Sequence, residues 1–132
     1  MVSYRTPLGR ARGLGSAKHG AGHWISERVT SIALVPLSLW AVCAAMALSK
    51  TGFDGAVAWL HSPVNAVLSV LLIGVGFQHM HAGLRVVVED YIHTTLSKSA
   101  LLLLNLFVCG LGAALAIFCI LKVALGPASF PA

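Results

Sequence analysis

Between Gln78 and Tyr91 the sequence QHMHAGLRVVVEDY sets two histidines, an arginine and two carboxylates into a long apolar stretch. Ionisable groups at membrane depth are costly to bury and generally mark function. On a helix turning about 100° per residue, Gly83 lies four positions past His79, Val86 seven and Asp90 eleven, so the four share one narrow stripe. His81, two positions from His79, points to roughly the opposite side, and the two imidazoles cannot chelate one ion from a regular helix. An imidazole in an apolar bundle suits an iron ligand. Gly83, one turn beyond His79, leaves room for a broad flat group such as a porphyrin to lie against the backbone. The same pair also fits a plainer role, in which His79 hydrogen-bonds a neighbouring helix and Gly83 is a packing glycine.

At the end of the stretch, Glu89, Asp90 and Tyr91 put a phenol beside carboxylates. Such a pair can donate to a quinone oxygen and handle the protons that accompany two-electron reduction. It also reads as a polar helix end with an interfacial aromatic. At 1.5 Å per residue, about 17 Å of helix separates His79 from Asp90, a distance suited to one electron hop.

The elements that carry these residues follow from composition. The chain has 132 residues, is 58% hydrophobic and is only 10% charged, against about 25% charged in soluble domains. It is expected to be an all-α integral membrane protein. A spanning helix needs about 20 mostly apolar residues, so three spans and their connections nearly exhaust the length and no soluble catalytic domain fits. The formal net charge is +5, but five of the nine basic residues (Arg5, Arg10, Arg12, Lys18, Arg28) precede the first apolar run. That distribution is a topology signal, not a nucleic-acid surface. Cys43, Cys109 and Cys119 all fall in apolar spans without CxxC spacing and read as buried packing residues.

Residues 1–23 form a basic arm with five glycines and no acid, expected to be extended or partly disordered. An arginine-rich, acid-free leader also suits a mitochondrial transit peptide; retention in the mature chain is the reading adopted. His19 and His23 read as solvated or interfacial. Residues 24–126 form the three-helix anchor. Trp24 marks the interface, and Ser26 with Glu27 offers a cap and a first-turn acid for a first span over about residues 29–48. Pro36 predicts a kink near the turn Ile32–Pro36. Arg28, at the start of this span, either snorkels to lipid phosphates or serves the site. A short interfacial helix over Phe53–Leu60 precedes a second span at about residues 63–89, begun by Pro63. Residues Thr94–Ser99 are read as a loop, and the third span covers about residues 100–125. In that span Gly110 and Ala114 give a small-xxx-small face for helix packing and Lys122 snorkels. Residues 127–132 are a short tail. The arm and second loop outweigh the first loop and tail in Lys and Arg, which places the N terminus in the cytoplasm and Asp90 and Tyr91 at the cytoplasmic surface.

A histidine, a glycine four later and an Asp-Tyr pair eleven and twelve later, closing the middle of three spans behind a basic arm, resemble the small hydrophobic membrane anchor of succinate dehydrogenase, respiratory complex II. The resemblance implies a heterotetramer in the bacterial inner membrane, or alternatively the mitochondrial inner membrane. In it this chain and a cytochrome b anchor subunit would sandwich one heme b and hold an iron–sulfur subunit and a flavoprotein subunit against the bilayer. It implies that His79 is the axial ligand given by this chain, that Tyr91 hydrogen-bonds a carbonyl of ubiquinone, and that Asp90 is its acidic neighbour. Arg28 resembles the family arginine near the heme propionates, and His23 falls close to a histidine found upstream of it. No second deep histidine here faces the same way as His79, so the other axial ligand comes from the partner anchor.

Two other readings stay open on the sequence. One is the anchor of a fumarate reductase running in the opposite direction. The other, of a different class, is a cofactor-free membrane scaffold or a proton-relay subunit using His79, Asp90 and His93. By itself the chain performs no substrate dehydrogenation.

Overall fold

A backbone in lipid has no water to bond, so each spanning segment must satisfy its own N–H and C=O groups, and helices do so. The computed structural model describes residues 6–13 and 20–127. Among them there is no strand, and five helices follow in order: α1 (Pro7–Ala11), α2 (Gly20–Leu48), α3 (Gly52–Leu60), α4 (Pro63–Tyr91) and α5 (Thr95–Ala124). Helices α2, α4 and α5 have 29, 29 and 30 residues and are long and apolar enough to cross a membrane. The fold is thus all-α, with three candidate spans and the short α3 between the first two. Helix α4 is the least apolar of the three, because it carries the polar residues of its last four turns.

Helix α4 is central and packs along both α2 and α5, while α3 touches all three. Little of this is core in the soluble sense. Only Val57, Cys109 and the polar Asn105 are buried among the described residues, and large apolar side chains such as Ile32, Leu39, Phe107 and Phe118 point outward. Such an exterior suits lipid tails or other apolar helices.

The Phe77 ring of α4 seats against α5 at Gly112. A Cβ built there would lie 2.7 Å from Cε1 of Phe77, so only glycine lets the ring seat against the backbone. The expected packing face, Gly110 and Ala114, instead remains exposed, and a Cβ at Gly110 would meet nothing within 4 Å. Gly110 borders an open groove between α4 and α5, together with Phe77 and His81. Gly112→Leu is expected to destabilise the α4–α5 pair by roughly 1–3 kcal/mol, as overpacking does. Thermal release of the chain from its membrane complex measures this, and adding Phe77→Ala should restore much of the loss.

The helix ends depart from expectation in two places. Helix α2 starts upstream of Ser26, at Gly20, so Ser26 is not its cap. Pairs at i,i+4 support the extra turns: His23 Nδ1 lies 3.7 Å from Glu27 Oε1, and the Arg28 guanidinium lies over the Trp24 ring at 5.4 Å. Helix α5 begins at Thr95, so most of the expected loop Thr94–Ser99 is helical. Thr94 is extended and its carbonyl accepts from Lys98 N at 2.9 Å, while Lys98 Nζ reaches back to the Glu89 carbonyl at 2.8 Å. A lysine satisfying the last carbonyls of the preceding helix allows a three-residue corner, 92–94.

In the basic arm, Thr6 Oγ1 accepts from Gly9 N at 3.1 Å and Pro7 opens the short α1, so this part is helical and not extended. Arg5, Lys18, His19 and residues 128–132 of the tail lie outside the described residues. Pro36 sits inside a continuous α2 and leaves the Ile32 carbonyl without its usual amide. Gly52, at φ 67°, starts α3 in a left-handed conformation that favours glycine. Trp59 of α3 stacks on Trp40 of α2 with centroids 5.5 Å apart, and its carbonyl accepts from Asn65 Nδ2 at 3.0 Å. Of the three cysteines expected to be buried, only Cys109 is; Cys43 and Cys119 lie on outward faces of α2 and α5.

Candidate functional site

Histidines 79 and 81 serve different helix pairs. His79 turns toward α2, where its Nδ1 lies 3.1 Å from Thr30 Oγ1. His81 belongs to the α4–α5 seam. Its backbone carbonyl accepts from Asn105 Nδ2 at 3.0 Å, and Cys109 Sγ donates to Asn105 Oδ1 at 3.2 Å. The His81 ring has a buried Nδ1 with no hydrogen-bond partner and borders a groove shared with Gly74, Gln78, Leu106 and Gly110.

The plainer role weighed for His79, a hydrogen bond to a neighbouring helix, is therefore present, but it occupies one ring nitrogen of two. The other, Nε2, is left for a further bond. One turn along, Gly83 is exposed, and a Cβ built there would meet nothing within 4 Å. An imidazole with one nitrogen free, next to an open glycine step in apolar surroundings, fits the needs of a heme ligand. Among the described residues no group of three or more His, Cys, Asp or Glu could hold a metal ion.

Toward the end of α4, Arg85 Nε donates to Glu89 Oε1 at 2.7 Å. With side chains 49% and 39% exposed, this i,i+4 pair is worth under about 1 kcal/mol and mainly orients Arg85 along the helix. Asp90 is exposed and Tyr91 is 76% exposed, just before the corner fixed by Lys98. His93 is exposed within that corner. The phenol and carboxylate are thus presented outward from a constrained helix end.

Arg28 is exposed and lies against Trp24, and His23 pairs with Glu27. The structure brings neither side chain to His79; both sit on the turns of α2 that precede Thr30. Nor does it join His79 to Tyr91, which stand about 18 Å apart along one helix at 1.5 Å per residue.

Thr30 goes unmarked in a reading of the sequence alone, and Asn105 stands out there only as a polar residue in an apolar span. The available signal was a hydroxyl-bearing pair, Thr30 and Ser31, and a lone amide inside apolar spans, since polar side chains at such depth generally bond across helices.

Residues 2–127 match the family model described as succinate dehydrogenase/fumarate reductase transmembrane subunit. Relatives named succinate dehydrogenase hydrophobic membrane anchor subunit occur in Paracoccus denitrificans and in Rickettsia. The Paracoccus protein is 31% identical over 128 residues, covering 95% of this chain and 96% of the relative. Those of Rickettsia bellii and Rickettsia conorii are each 30% identical, covering 76% and 81% of this chain and 80% and 86% of the relatives. No solved structure matches. With its three apolar helices and a match spanning nearly its whole length, the chain belongs to the succinate dehydrogenase/fumarate reductase transmembrane subunit family, as a hydrophobic membrane anchor.

Proposed function

We propose that this membrane anchor supplies His79 as one axial ligand to a heme b shared with a second, cytochrome b anchor, and that Tyr91 and Asp90 form part of a ubiquinone-reduction site. The observation that carries the reading is the state of His79: one ring nitrogen tied to α2, the other free, and an open glycine one turn away. When bound, heme b supplies a one-electron carrier within the bilayer. The chain's own residues do the rest. His79 would ligate the group and Gly83 would leave room for the flat macrocycle, while Arg28 would supply positive charge, and His23 a ring nitrogen, near the propionates from the first turns of α2.

Tyr91 donates its phenolic hydrogen to a quinone carbonyl, and Asp90 beside it takes up and passes on a proton from the aqueous side. The open presentation of both leaves them free to meet quinone and the iron–sulfur subunit at a composite site. The flavoprotein subunit, bound to the iron–sulfur subunit, carries the succinate chemistry. The N terminus is cytoplasmic and the complex lies in the inner membrane, as the distribution of Lys and Arg supports. The names of the relatives favour succinate oxidation over fumarate reduction.

A reduced-minus-oxidised optical spectrum of the purified complex tests the reading, since a cofactor-free scaffold or proton-relay subunit gives no low-spin heme b band. Gly83→Leu is expected to lower heme content per complex severalfold by filling the face on which the macrocycle lies. Normal heme content in that variant would remove Gly83 from the site.

A further inference from the structure

We infer that Thr30 is a positioning residue that sets the tautomer and ring plane of His79, so that Nε2 and not Nδ1 faces the iron. The inference rests on the ligand role proposed for His79 and adds a residue to it.

A threonine hydroxyl has one hydrogen to give and lone pairs to receive. Thr30 Oγ1 lies 2.9 Å from the Ser26 carbonyl and 3.0 Å from the Glu27 carbonyl, neither of which can donate, so its one hydrogen goes to them. This back-bond to the preceding turn is usual for helical threonine, and the branched side chain has few rotamers through which to leave it. What Oγ1 has left for His79 Nδ1, at 3.1 Å, is a lone pair. Nδ1 must then carry the imidazole hydrogen and donate it to Thr30. Nε2 keeps its lone pair, as a metal ligand requires. The opposite assignment would put the hydrogen on Nε2 and disable it as a ligand. It would also withdraw the Thr30 hydrogen from two carbonyls already within bonding distance.

An acceptor on Nδ1–H does two further things. It holds the ring against rotation about its bond to the backbone, and it pushes electron density toward Nε2, which makes the ligand more basic and favours ferric over ferrous iron. Ser31, the adjacent hydroxyl, bonds the Glu27 carbonyl at 2.7 Å and takes no part.

The test uses the assembled complex with Thr30→Val, which keeps the branched shape and loses the hydroxyl, and Thr30→Ser, which keeps the hydroxyl. Three readouts other than turnover apply: the heme midpoint potential, the electron paramagnetic resonance of the ferric heme, and heme release on dilution in detergent. Thr30→Val is expected to raise the midpoint potential, to shift or broaden the low-spin ferric signal, and to increase heme release by on the order of tenfold. Thr30→Ser should stay at the wild-type values. Should valine hinder assembly, the smaller Thr30→Ala is expected to give the same upward potential shift. Wild-type potential and resonance in a hydroxyl-free variant, in a protein where His79→Ala has lost the heme, overturns the role of Thr30 alone. Retention of low-spin heme in His79→Ala overturns the ligand assignment and the inference with it.

Discussion

His79→Ala is expected to abolish the low-spin heme b spectrum of the complex or reduce it to a small residue, while His81→Ala leaves it largely intact. The two histidines are near neighbours in sequence, yet the structure commits them to different seams. His79 faces α2 through Thr30, and His81 faces α5, where its backbone already accepts from Asn105. On the proposed assignment, removing His79 would leave the iron without the ligand from this chain, and loss of heme or conversion to a high-spin form would follow. The His81 ring makes no hydrogen bond at its buried Nδ1, so truncation there forfeits packing against α5 but no bond across helices. Spectra and heme content per flavin in the two variants decide the matter. A normal spectrum in His79→Ala with loss in His81→Ala would reverse the assignment.

Tyr91→Phe should let the complex assemble, keep its heme and oxidise succinate with an artificial acceptor placed upstream of the quinone, while ubiquinone reduction falls about fivefold to a hundredfold. The lower bound corresponds to one hydrogen bond worth on the order of 1 kcal/mol. The upper bound applies if that bond strengthens toward the reduced quinone. The structure makes this a clean substitution, because Tyr91 is 76% exposed and its ring supports no internal packing that phenylalanine would lose. Steady-state assays comparing the two acceptors separate the quinone step from the rest. A wild-type rate and a wild-type apparent affinity for ubiquinone would return Tyr91 to the role of an interfacial anchor.

The fold was legible because membrane depth leaves so few options. Apolar runs of sufficient length must be helices, and Pro63 and Gly52 stand where a helix starts. Helix ends were less legible, since they depend on partners that periodicity does not show. Nothing in the run of residues 94–99 announces that Lys98 will reach Glu89 and draw the helix start back to Thr95. In the same way the pairs of His23 with Glu27 and Arg28 with Trp24 lengthen α2 beyond the expected cap.

The candidate site was legible only along one helix. Spacing placed His79, Gly83 and Asp90 on a stripe, but the group that meets His79 lies 49 residues away in sequence, and no local pattern links them. Packing within the chain was hard to read for a related reason. Gly110 and Ala114 have the right spacing for a close contact, yet the ring that needs a glycine is Phe77, and it selects Gly112.

The corner between α4 and α5 leaves Tyr91 almost no slack. Ile92 N bonds the Val88 carbonyl, Lys98 N bonds the Thr94 carbonyl, and Lys98 Nζ ties the two helix ends across a three-residue joint. The angle at which the phenol is offered is therefore set in part by the start of the third helix, although that helix carries none of the chemistry.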